Sequence, residues 1–289
     1  MTSTDMALNP AQMRTTHHTE SLPTELLTIQ PPDTLYFRCK SLIDRLFAAI
    51  MLIPGLPMIA VLMLLIRLTS KGPGIYSQLR VGRGGRNFTM YKLRSMRVDA
   101  EAGTGAVWAG LTSDSRVTPL GYWLRRLHLD ELPQLFNVVR GEMSLVGPRP
   151  ERPEFVKVLS DQIDGYLNRL KVVPGITGLA QINLPADTDL NSVRRKLVLD
   201  CEYIETASFW FDLRIIACTL FRTIGLRNGR ALQLLGLKRT VPDQPCQRLD
   251  SSLTGTTCSS IRKTTVCVSD VACKTDSARN LEPSSSRNA

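Results

Sequence analysis

The sequence has few of the residues that build disulfide frameworks or structural metal sites. Its 289 residues include seven cysteines and three histidines, and no two cysteines are spaced as Cys-x-x-Cys. Disulfide-rich secreted domains and structural zinc sites need closely spaced cysteine or histidine side chains. The sequence therefore argues against both classes. A hydrophobic content of 43% is enough for a buried core and argues against a wholly disordered chain.

Acidic residues are scarce in one segment of the chain. Residues 38–100 contain eleven Lys or Arg and only two Asp or Glu, and this segment supplies most of the net charge of +10. A basic surface can bind nucleic acid or an anionic lipid surface. Because these cations flank an apolar run and no nucleic-acid-binding motif accompanies them, we expect a membrane partner and no nucleic acid.

The apolar run in this segment is long enough to reach into a membrane. It has 21 residues without a charge, from Leu46 to Ile66, and a helix of this length can cross a hydrocarbon core of about 30 Å. Pro54 lies near its middle, where proline breaks helices, and basic residues flank both ends. Because basic flanks stay in the cytoplasm, the pattern predicts a re-entrant membrane helix hairpin over residues 38–70, with the break at Pro54. A single span and a buried soluble helix are the alternatives.

The rest of the chain divides by composition. Residues 1–37 are predicted to be a disordered leader and residues 240–289 a disordered Ser/Thr-rich tail, with a compact domain over residues 71–230 between them. Apolar periodicity predicts helices over 190–205 and 209–226. The second begins with three aromatic residues, which suits an interfacial amphipathic helix as well as an ordinary core helix. The predicted fold class is α/β, mainly α-helical with short strands.

Three short motifs in the domain could carry chemistry on phosphates. Asp130 and Glu131 are adjacent carboxylates; an Asp can attack phosphorus, and Mg²⁺ prefers one or two carboxylates together with substrate phosphates. Taken alone, such a pair is more often a solvated helix face. Arg149 lies in a stiff Gly-Pro-Arg-Pro turn that can aim its guanidinium at a phosphate. The Pro-Gly-Ile-Thr-Gly turn at 174–178 has backbone donors that could face an anion, which is a weak indication by itself.

Taken together, these motifs resemble the bacterial sugar transferase family. The resemblance runs from about residue 38 to residue 225 and is carried by YSQLRVGRGGRNFTMYKLRSM, LRRLHLDELPQLFNVVRGEMSLVGPRPE and VVPGITGLAQIN. It implies a monotopic phosphoglycosyl transferase that moves a sugar 1-phosphate from a nucleotide sugar, usually a UDP-hexose, to undecaprenyl (polyprenyl) phosphate. The products would be a polyprenyl diphosphate sugar and UMP, in the priming step of exopolysaccharide or related glycan synthesis.

The resemblance also implies roles for individual residues. Asp130 would be the nucleophile that forms a covalent phosphosugar intermediate, and Glu131 would support catalysis. Both would lie at the site of the Mg²⁺ cofactor, and Pro54 would match the family's helix-breaking proline. Five further residues match positions for phosphate or substrate binding: Arg125, Pro148, Arg149, Lys92 and Gln181. At Glu142 the family more often has Asp.

Location and partners follow from the same resemblance. It implies the bacterial inner (cytoplasmic) membrane, with the catalytic domain on the cytoplasmic face. The expected partners are the nucleotide sugar, polyprenyl phosphate and the membrane, and a homo-oligomer is left open. The rival hypothesis is a non-catalytic membrane scaffold that binds anionic lipid through residues 38–100. It accounts for the charge and the apolar run, but it leaves Asp130, Glu131 and Arg149 without a purpose.

Overall fold

The computed structural model describes residues 34–100, 115–223 and 228–241. Within these ranges the chain is mostly helical with four short strands, which confirms the predicted mainly α-helical α/β class. Nearly all of the predicted leader and tail lie outside the described residues. The predicted leader boundary at residue 37 is wrong in one respect, because a helix already begins at Leu35.

The element bounds agree well with the predicted helices. The helices predicted over 190–205 and 209–226 are observed at Leu190–Thr206 and Phe209–Thr223, and residues 224–226 lie outside the described residues. The helices are α1 Leu35–Thr69, α2 Pro119–Arg126, α3 Gln134–Arg140, α4 Pro153–Gln162, α5 Leu179–Asn183, α6 Leu190–Thr206, α7 Phe209–Thr223 and α8 Asn228–Leu234. The strands are β1 Ile75–Val81, β2 Asn87–Leu93, β3 Ser144–Val146 and β4 Gly175–Thr177. Short 3₁₀ turns occupy Arg83–Gly85, Leu129–Glu131 and Tyr166–Lys171.

The apolar segment forms one helix of 35 residues. Thr34 caps its N-terminus by accepting a hydrogen bond from the amide of Phe37. The α-helix continues through Pro54 and Pro57, so two helical arms separated by a break at Pro54 are not confirmed. A proline removes one hydrogen bond and can bend a helix without ending it.

One face of α1 packs on the domain and the rest is exposed. Its buried side chains recur every three to four residues, as in Ala48, Leu52 and Ile59, and this stripe belongs to a cluster with β2, α2 and α3. Only 22% of its most apolar stretch is buried, and large apolar side chains such as Ile53 (73% exposed) face outward. The core helix of a soluble protein would be mostly buried, so the length, composition and exposure of α1 fit a membrane helix.

Helix α6 is the centre of the remaining core. Its residues Leu199 and Tyr203 pack in a cluster with α5, α7 and α8. Its residues Val193 and Leu197 pack in a second cluster with α4 and the 3₁₀ turn at 166–171. Since α6 belongs to both clusters, it fixes the positions of the loops that end at its two termini.

The strands form two pairs with different roles. β1 and β2 make an antiparallel hairpin in which Tyr76 lies opposite Lys92, and Gly84 adopts a positive φ of 62° in its turn. β3 and β4 are parallel, with Ser144 opposite Gly175. The second pair brings the Gly-Pro-Arg-Pro loop, which follows β3, against the glycine-rich turn that contains β4.

Glycine allows these two segments to touch through their backbones. A Cβ on Gly175 would lie 2.1 Å from the amide nitrogen of Gly147, and one on Gly178 would lie 2.2 Å from the Gly147 carbonyl oxygen. The Gly175 amide donates to the Pro148 carbonyl at 2.9 Å. This amide therefore holds the arginine-bearing loop in place and is not available to an anion.

We expect Gly175→Ala to lower the free energy of unfolding by about 1–3 kcal/mol or more, because the new methyl group overlaps backbone atoms that cannot move aside. The matched control is Gly229→Ala in α8, where a Cβ meets open space and helix propensity improves by up to about 1 kcal/mol. Thermal unfolding of both variants in the same detergent, followed by tryptophan fluorescence, measures the difference. Equal melting temperatures for the two variants would contradict this account of the loop packing.

Candidate active site

One large cleft combines apolar and charged walls. Its volume is about 930 Å³. Apolar side chains from α1 and α7 line it, among them Phe47, Met51 and Leu213. Charged side chains from β2, the 3₁₀ turn at 129–131 and the loop after β3 also line it; they include Lys92, Asp130, Glu131 and Arg149. The cleft could therefore accept a ligand with an anionic group next to an apolar tail.

Glu131 is held by two cations from distant parts of the chain. Its Oε1 lies 3.1 Å from Lys92 Nζ and 2.8 Å from Arg149 Nη2. Burial alone would raise the pKa of Glu131, but Arg149 and Lys92 outweigh burial and hold the pKa well below its usual range. Glu131 is therefore ionised at neutral pH and joins β2 to the Gly-Pro-Arg-Pro loop.

Asp130 is buried, but no described cation contacts its carboxylate as Lys92 and Arg149 contact Glu131. It is 8% exposed, and within the described residues its carboxylate has no hydrogen-bond or ion-pair partner. Burial raises the pKa of Asp130 to about 6, and Lys92 is the strongest charge opposing that rise. Two adjacent carboxylates thus have different environments: Glu131 is fixed and ionised, whereas Asp130 has free oxygens and a pKa near neutrality.

The local backbone places this pair at the cleft. His128 precedes the 3₁₀ turn at 129–131 with a φ of 56° and is the only non-glycine residue with positive φ among those described. Such a conformation costs about 1 kcal/mol or more in a residue with a Cβ. The His128 side chain lines the cleft, and burial lowers its pKa. His128 was not predicted from the sequence, where its one available signal is its position two residues before Asp130.

The remaining predicted residues divide into two groups. Arg125 and Gln181 line the cleft; the Gln181 Nε2 donates to the Ile176 carbonyl at 2.8 Å, and its Oε1 is buried without a partner in the described part of the chain. Pro148 lines a small neighbouring cavity instead, and its carbonyl accepts the Gly175 amide. Pro54 lies inside α1 and does not line the cleft.

Several cleft residues carry no sequence motif and were not predicted. Arg222 of α7 lines the cleft and donates from Nη1 to the Gln181 carbonyl at 2.8 Å. Lys196 and Asp187, from α6 and the loop before it, also line the cleft. They reach it only because α5, α6 and α7 pack together, and a single sequence gives no signal of that approach.

The carboxylates present suit a magnesium ion that is completed by substrate phosphates. No group of three or more His, Cys, Asp or Glu side chains that could hold a metal occurs among residues 34–100, 115–223 and 228–241. The Asp130 carboxylate is free, and both cations on Glu131 contact Oε1, not Oε2. Mg²⁺ commonly uses one or two carboxylates and takes its other oxygens from phosphates and water.

A buried polar network ties α1 to α7 beside the cleft. Lys40 of α1 forms ion pairs with Asp44, at 3.0 Å, and with Asp212 of α7. The hydroxyl groups of Tyr36 and Tyr203 also donate to Asp212. Lys40, Asp44 and Asp212 are each less than 10% exposed, so water does not screen these contacts. The network holds the N-terminal part of the apolar helix on the domain.

In comparisons with known proteins, the family model and the relatives below are all described as sugar transferases. The family model described as "Bacterial sugar transferase" matches residues 35–225. A protein of Bacillus subtilis, provisionally named an undecaprenyl-phosphate N-acetylgalactosaminyl 1-phosphate transferase, is 51% identical over 143 residues, which are 50% of this chain and 79% of that protein. The UDP-glucose:undecaprenyl-phosphate glucose-1-phosphate transferase of Caulobacter vibrioides is 39% identical over 203 residues, which are 68% of this chain and 75% of that protein.

Some relatives are much longer than the matched region. The UDP-glucose:undecaprenyl-phosphate glucose-1-phosphate transferase of Xanthomonas campestris is 40% identical over 199 residues, which are 68% of this chain but 41% of that protein. The chain thus spans less than half the length of this relative. The family model's match at residues 35–225 includes all of the residues that line the cleft.

We expect Glu131→Gln to lower the free energy of unfolding by about 3 kcal/mol, because it leaves Lys92 buried opposite a neutral side chain. The pKa of Glu131 in the folded protein lies below its unfolded value. Its contribution is therefore present at neutral pH and is lost only as the pH falls through the low folded-state pKa. Chemical denaturation at pH 7 measures the change.

A second substitution distinguishes destabilisation by loss of the ion pair from destabilisation by a general loss of packing. Adding Lys92→Met to Glu131→Gln should restore part of the stability, because the uncompensated charge is removed. The control is Glu154→Gln, at a pair in which the Glu154 side chain is 56% exposed; it should cost less than about 1 kcal/mol. Additive effects of Glu131→Gln and Lys92→Met would argue against the buried pair.

Proposed function

The chain belongs to the bacterial sugar transferase family, and from this premise we propose that it transfers a sugar 1-phosphate from a UDP-sugar to undecaprenyl phosphate and releases UMP. The names of the relatives support this reaction. The proposal includes a UDP-hexose as the donor class and makes the reaction the priming step of exopolysaccharide or related glycan synthesis.

The observation that supports the proposal is the buried carboxylate of Asp130, unpaired within the described residues, in a cleft that has both apolar and charged walls. Undecaprenyl phosphate has an anionic head and a long apolar tail, and the cleft is lined by apolar residues of α1 and α7 as well as by cations. Asp130 lies in this cleft with free oxygens and a pKa of about 6. A membrane scaffold that binds anionic lipid would need the cations but not a buried carboxylate among them.

The proposed first step is an attack by Asp130. One of its oxygens forms a bond to the phosphorus next to the sugar, the bond from that phosphorus to the oxygen of UMP breaks, and UMP leaves with the bonding electron pair. The phosphosugar is then held on Asp130 as an acyl phosphate. Lys92, Arg125, Arg149 and Arg222 line the cleft and would neutralise the charge that develops on the phosphate oxygens.

The proposed second step regenerates the enzyme. An oxygen of undecaprenyl phosphate attacks the same phosphorus, and Asp130 leaves as a carboxylate. The product is undecaprenyl diphosphate sugar. Glu131 stays ionised throughout and keeps Lys92 and Arg149 in place. A Mg²⁺ ion held by Asp130 and by Oε2 of Glu131 would supply further neutralisation of the diphosphate charge.

The membrane arrangement is part of the proposal. Basic residues occur before and after the apolar part of α1, as in Arg38, Arg45, Arg67 and Lys71. The positive-inside rule then favours both ends of α1 on the cytoplasmic side, as in a re-entrant helix. Exposed aromatic side chains of α2 and α7, such as Trp123 and Trp210, suit the headgroup region. The catalytic domain would lie on the cytoplasmic face of the inner membrane.

We expect Asp130→Asn to reduce UMP release by at least about a thousandfold, because the amide cannot act as the nucleophile. The assay uses membranes that contain the chain, with undecaprenyl phosphate, Mg²⁺ and a panel of UDP-sugars. The control is Asp164→Asn, at an exposed aspartate outside the cleft, which should retain wild-type activity. Near-normal activity of Asp130→Asn would exclude it as nucleophile, and no release by the wild type with any donor would favour the lipid-binding scaffold.

In the Mg²⁺-free protein, titration of the Asp130 carboxyl followed by infrared or NMR spectroscopy should show an acidic limb with an apparent pKa near 6, because burial raises its pKa. Lys92→Met should move this limb to higher pH, since Lys92 is the charge that most strongly lowers the pKa of Asp130. Asp164→Asn should leave the limb unchanged. A wild-type limb near pH 4, the usual range for an aspartate, would contradict the assignment.

A further inference from the structure

One wall of the cleft has no role in the reaction proposed above. Tyr76, Gln78 and Arg80 of β1 line this wall, and alternate residues of a strand point to the same face. Lys92 of β2 lies opposite Tyr76, and opposite residues in an antiparallel pair have Cβ atoms about 5 Å apart. The wall therefore begins next to a cation that contacts Glu131, and it extends away from that cation along β1.

Tyr76 presents aromatic surface that a ligand in the cleft can reach. It lines the cleft and is 39% exposed. Planar heteroaromatic rings stack on the face of tyrosine, and stacking of one nucleic-acid base on an aromatic side chain raises affinity by about tenfold. Because Lys92 is the opposite residue of the hairpin, Tyr76 offers a place for a flat ring beside a place for phosphate.

Gln78 places an amide donor two residues along the same face. Its Oε1 accepts a hydrogen bond from Arg80 Nη2 at 2.6 Å, and Arg80 is itself held because its Nη1 donates to the Pro150 carbonyl at 2.9 Å. These contacts fix the orientation of the amide. Gln78 Nε2 has no hydrogen-bond partner within the described residues, and it is not among the fully buried polar atoms that lack one. The amide nitrogen therefore keeps surface at which a ligand can accept its hydrogen.

The groups that this wall leaves for a ligand are neutral. The Arg80 guanidinium lies 3.5 Å from Glu151 Oε2 and donates to the Pro150 carbonyl, so its charge is already compensated. Lys92 and Arg149, at the two carboxylates of the candidate active site, are the cations suited to a diphosphate. Within a UDP-sugar, uracil is the planar aromatic part, and its edge has carbonyl oxygens that accept hydrogen bonds. An aromatic face and an amide donor match both features.

We propose that Tyr76 and Gln78 form the subsite for the uracil base of the nucleotide sugar. The base stacks on the Tyr76 ring, and Gln78 Nε2 donates to a carbonyl oxygen of the base. The diphosphate lies at Lys92 and Arg149, next to Asp130. The identity of the ligand rests on the proposed function, whereas the accessible ring and the accessible amide are features of the structure.

The first test removes the aromatic face. Tyr76→Leu keeps an apolar side chain without a ring, and Tyr76→Phe keeps the ring without the hydroxyl group. The matched control is Tyr91→Leu on β2. Tyr91 belongs to the same hairpin but does not line the cleft, and its hydroxyl group accepts a hydrogen bond from Arg140 at 3.2 Å. Tyr91→Leu therefore reproduces the loss of a hairpin tyrosine without altering the subsite.

The readout is calorimetric binding of UMP and of ribose 5-phosphate, which lacks the base, to the full chain in detergent without undecaprenyl phosphate. We expect the wild type to bind UMP at least about tenfold more tightly than ribose 5-phosphate. Tyr76→Leu should weaken UMP binding by about tenfold and leave ribose 5-phosphate binding unchanged, because only the base loses its partner. Tyr76→Phe and Tyr91→Leu should keep the wild-type values.

A second variant tests the amide donor. Gln78→Glu keeps an oxygen for Arg80 but replaces the Nε2 donor with an acceptor, which repels the carbonyl oxygen of uracil. The added negative charge weakens binding of both phosphates, so the ratio of the UMP affinity to the ribose 5-phosphate affinity isolates the effect on the base. We expect this ratio to fall by about fivefold. An unchanged ratio would overturn the role of Gln78.

Binding and turnover together distinguish the subsite from the proposed function. In the transfer assay, Tyr76→Leu should raise the KM for the UDP-hexose more than it lowers kcat. Weaker binding of UDP-hexose without weaker binding of UMP would overturn the assignment to the base, because it would place the hexose on Tyr76. Unchanged binding of both ligands, in a chain that releases UMP, would overturn the subsite and leave the proposed function standing.

Two outcomes concern the wild type itself. UMP binding that is lost in Tyr76→Leu, from a wild type that shows no turnover with any donor, would support the subsite and overturn the transfer reaction. A wild type that binds neither UMP nor a UDP-hexose would overturn both.

Discussion

Two cations from separate parts of the chain share one oxygen of Glu131, and the geometry of the candidate active site depends on this contact. Lys92 lies 39 residues before Glu131 and Arg149 lies 18 residues after it. The contact brings β2, the 3₁₀ turn at 129–131 and the loop after β3 to one point. Because Glu131 takes up both cations, Asp130 beside it keeps its oxygens free while it still experiences their positive field. Fixation of Glu131 by the two cations thus leaves Asp130 free for the attack that we propose.

The position of Arg149 depends in turn on contacts made by its loop away from Glu131. The loop that carries it is held by backbone contacts between Gly147 and Gly175, which side chains would prevent. Behind the loop, the Arg149 carbonyl accepts a hydrogen bond from Arg169, and Arg169 is paired with Asp200 of α6. The backbone of Arg149 is therefore held by the glycine contacts before it and by the Arg169 hydrogen bond at its own carbonyl, and this fixes where its guanidinium meets Glu131. Gly147, Gly175, Arg169 and Glu131 therefore all help to fix the position of Arg149.

The sequence predicted the candidate catalytic residues better than their surroundings. Asp130, Glu131, Arg149 and Lys92 could be assigned to one site in advance because long motifs around them resemble a known family. The residues themselves gave the adjacency of the two carboxylates and the stiff turn that carries Arg149. The turn at 174–178 shows the limit of local patterns: its glycines suit an anion-binding loop, but close backbone packing against Gly147 requires them equally. Asp187 and Arg222 had no signal at all, because only the packing of α5, α6 and α7 carries them to the cleft.

The apolar helix is a second case in which a local sequence pattern did not determine the structure. Two prolines and basic flanks predicted a broken hairpin, yet α1 continues through Pro54, because packing of Leu52 and Ile59 on the domain supports helix on both sides of it.

Helix α1 is also more than an attachment to the membrane, since Phe47 and Met51 form part of the cleft wall and Lys40 is ion-paired with Asp212. A truncated, freely soluble form of this domain would lack one side of its own substrate cleft and would leave Asp212 buried without its lysine. Replacement of α1 by an unrelated membrane helix would have the same defect. An exchanged helix would have to reproduce both the cleft-lining side chains and the lysine that pairs with Asp212.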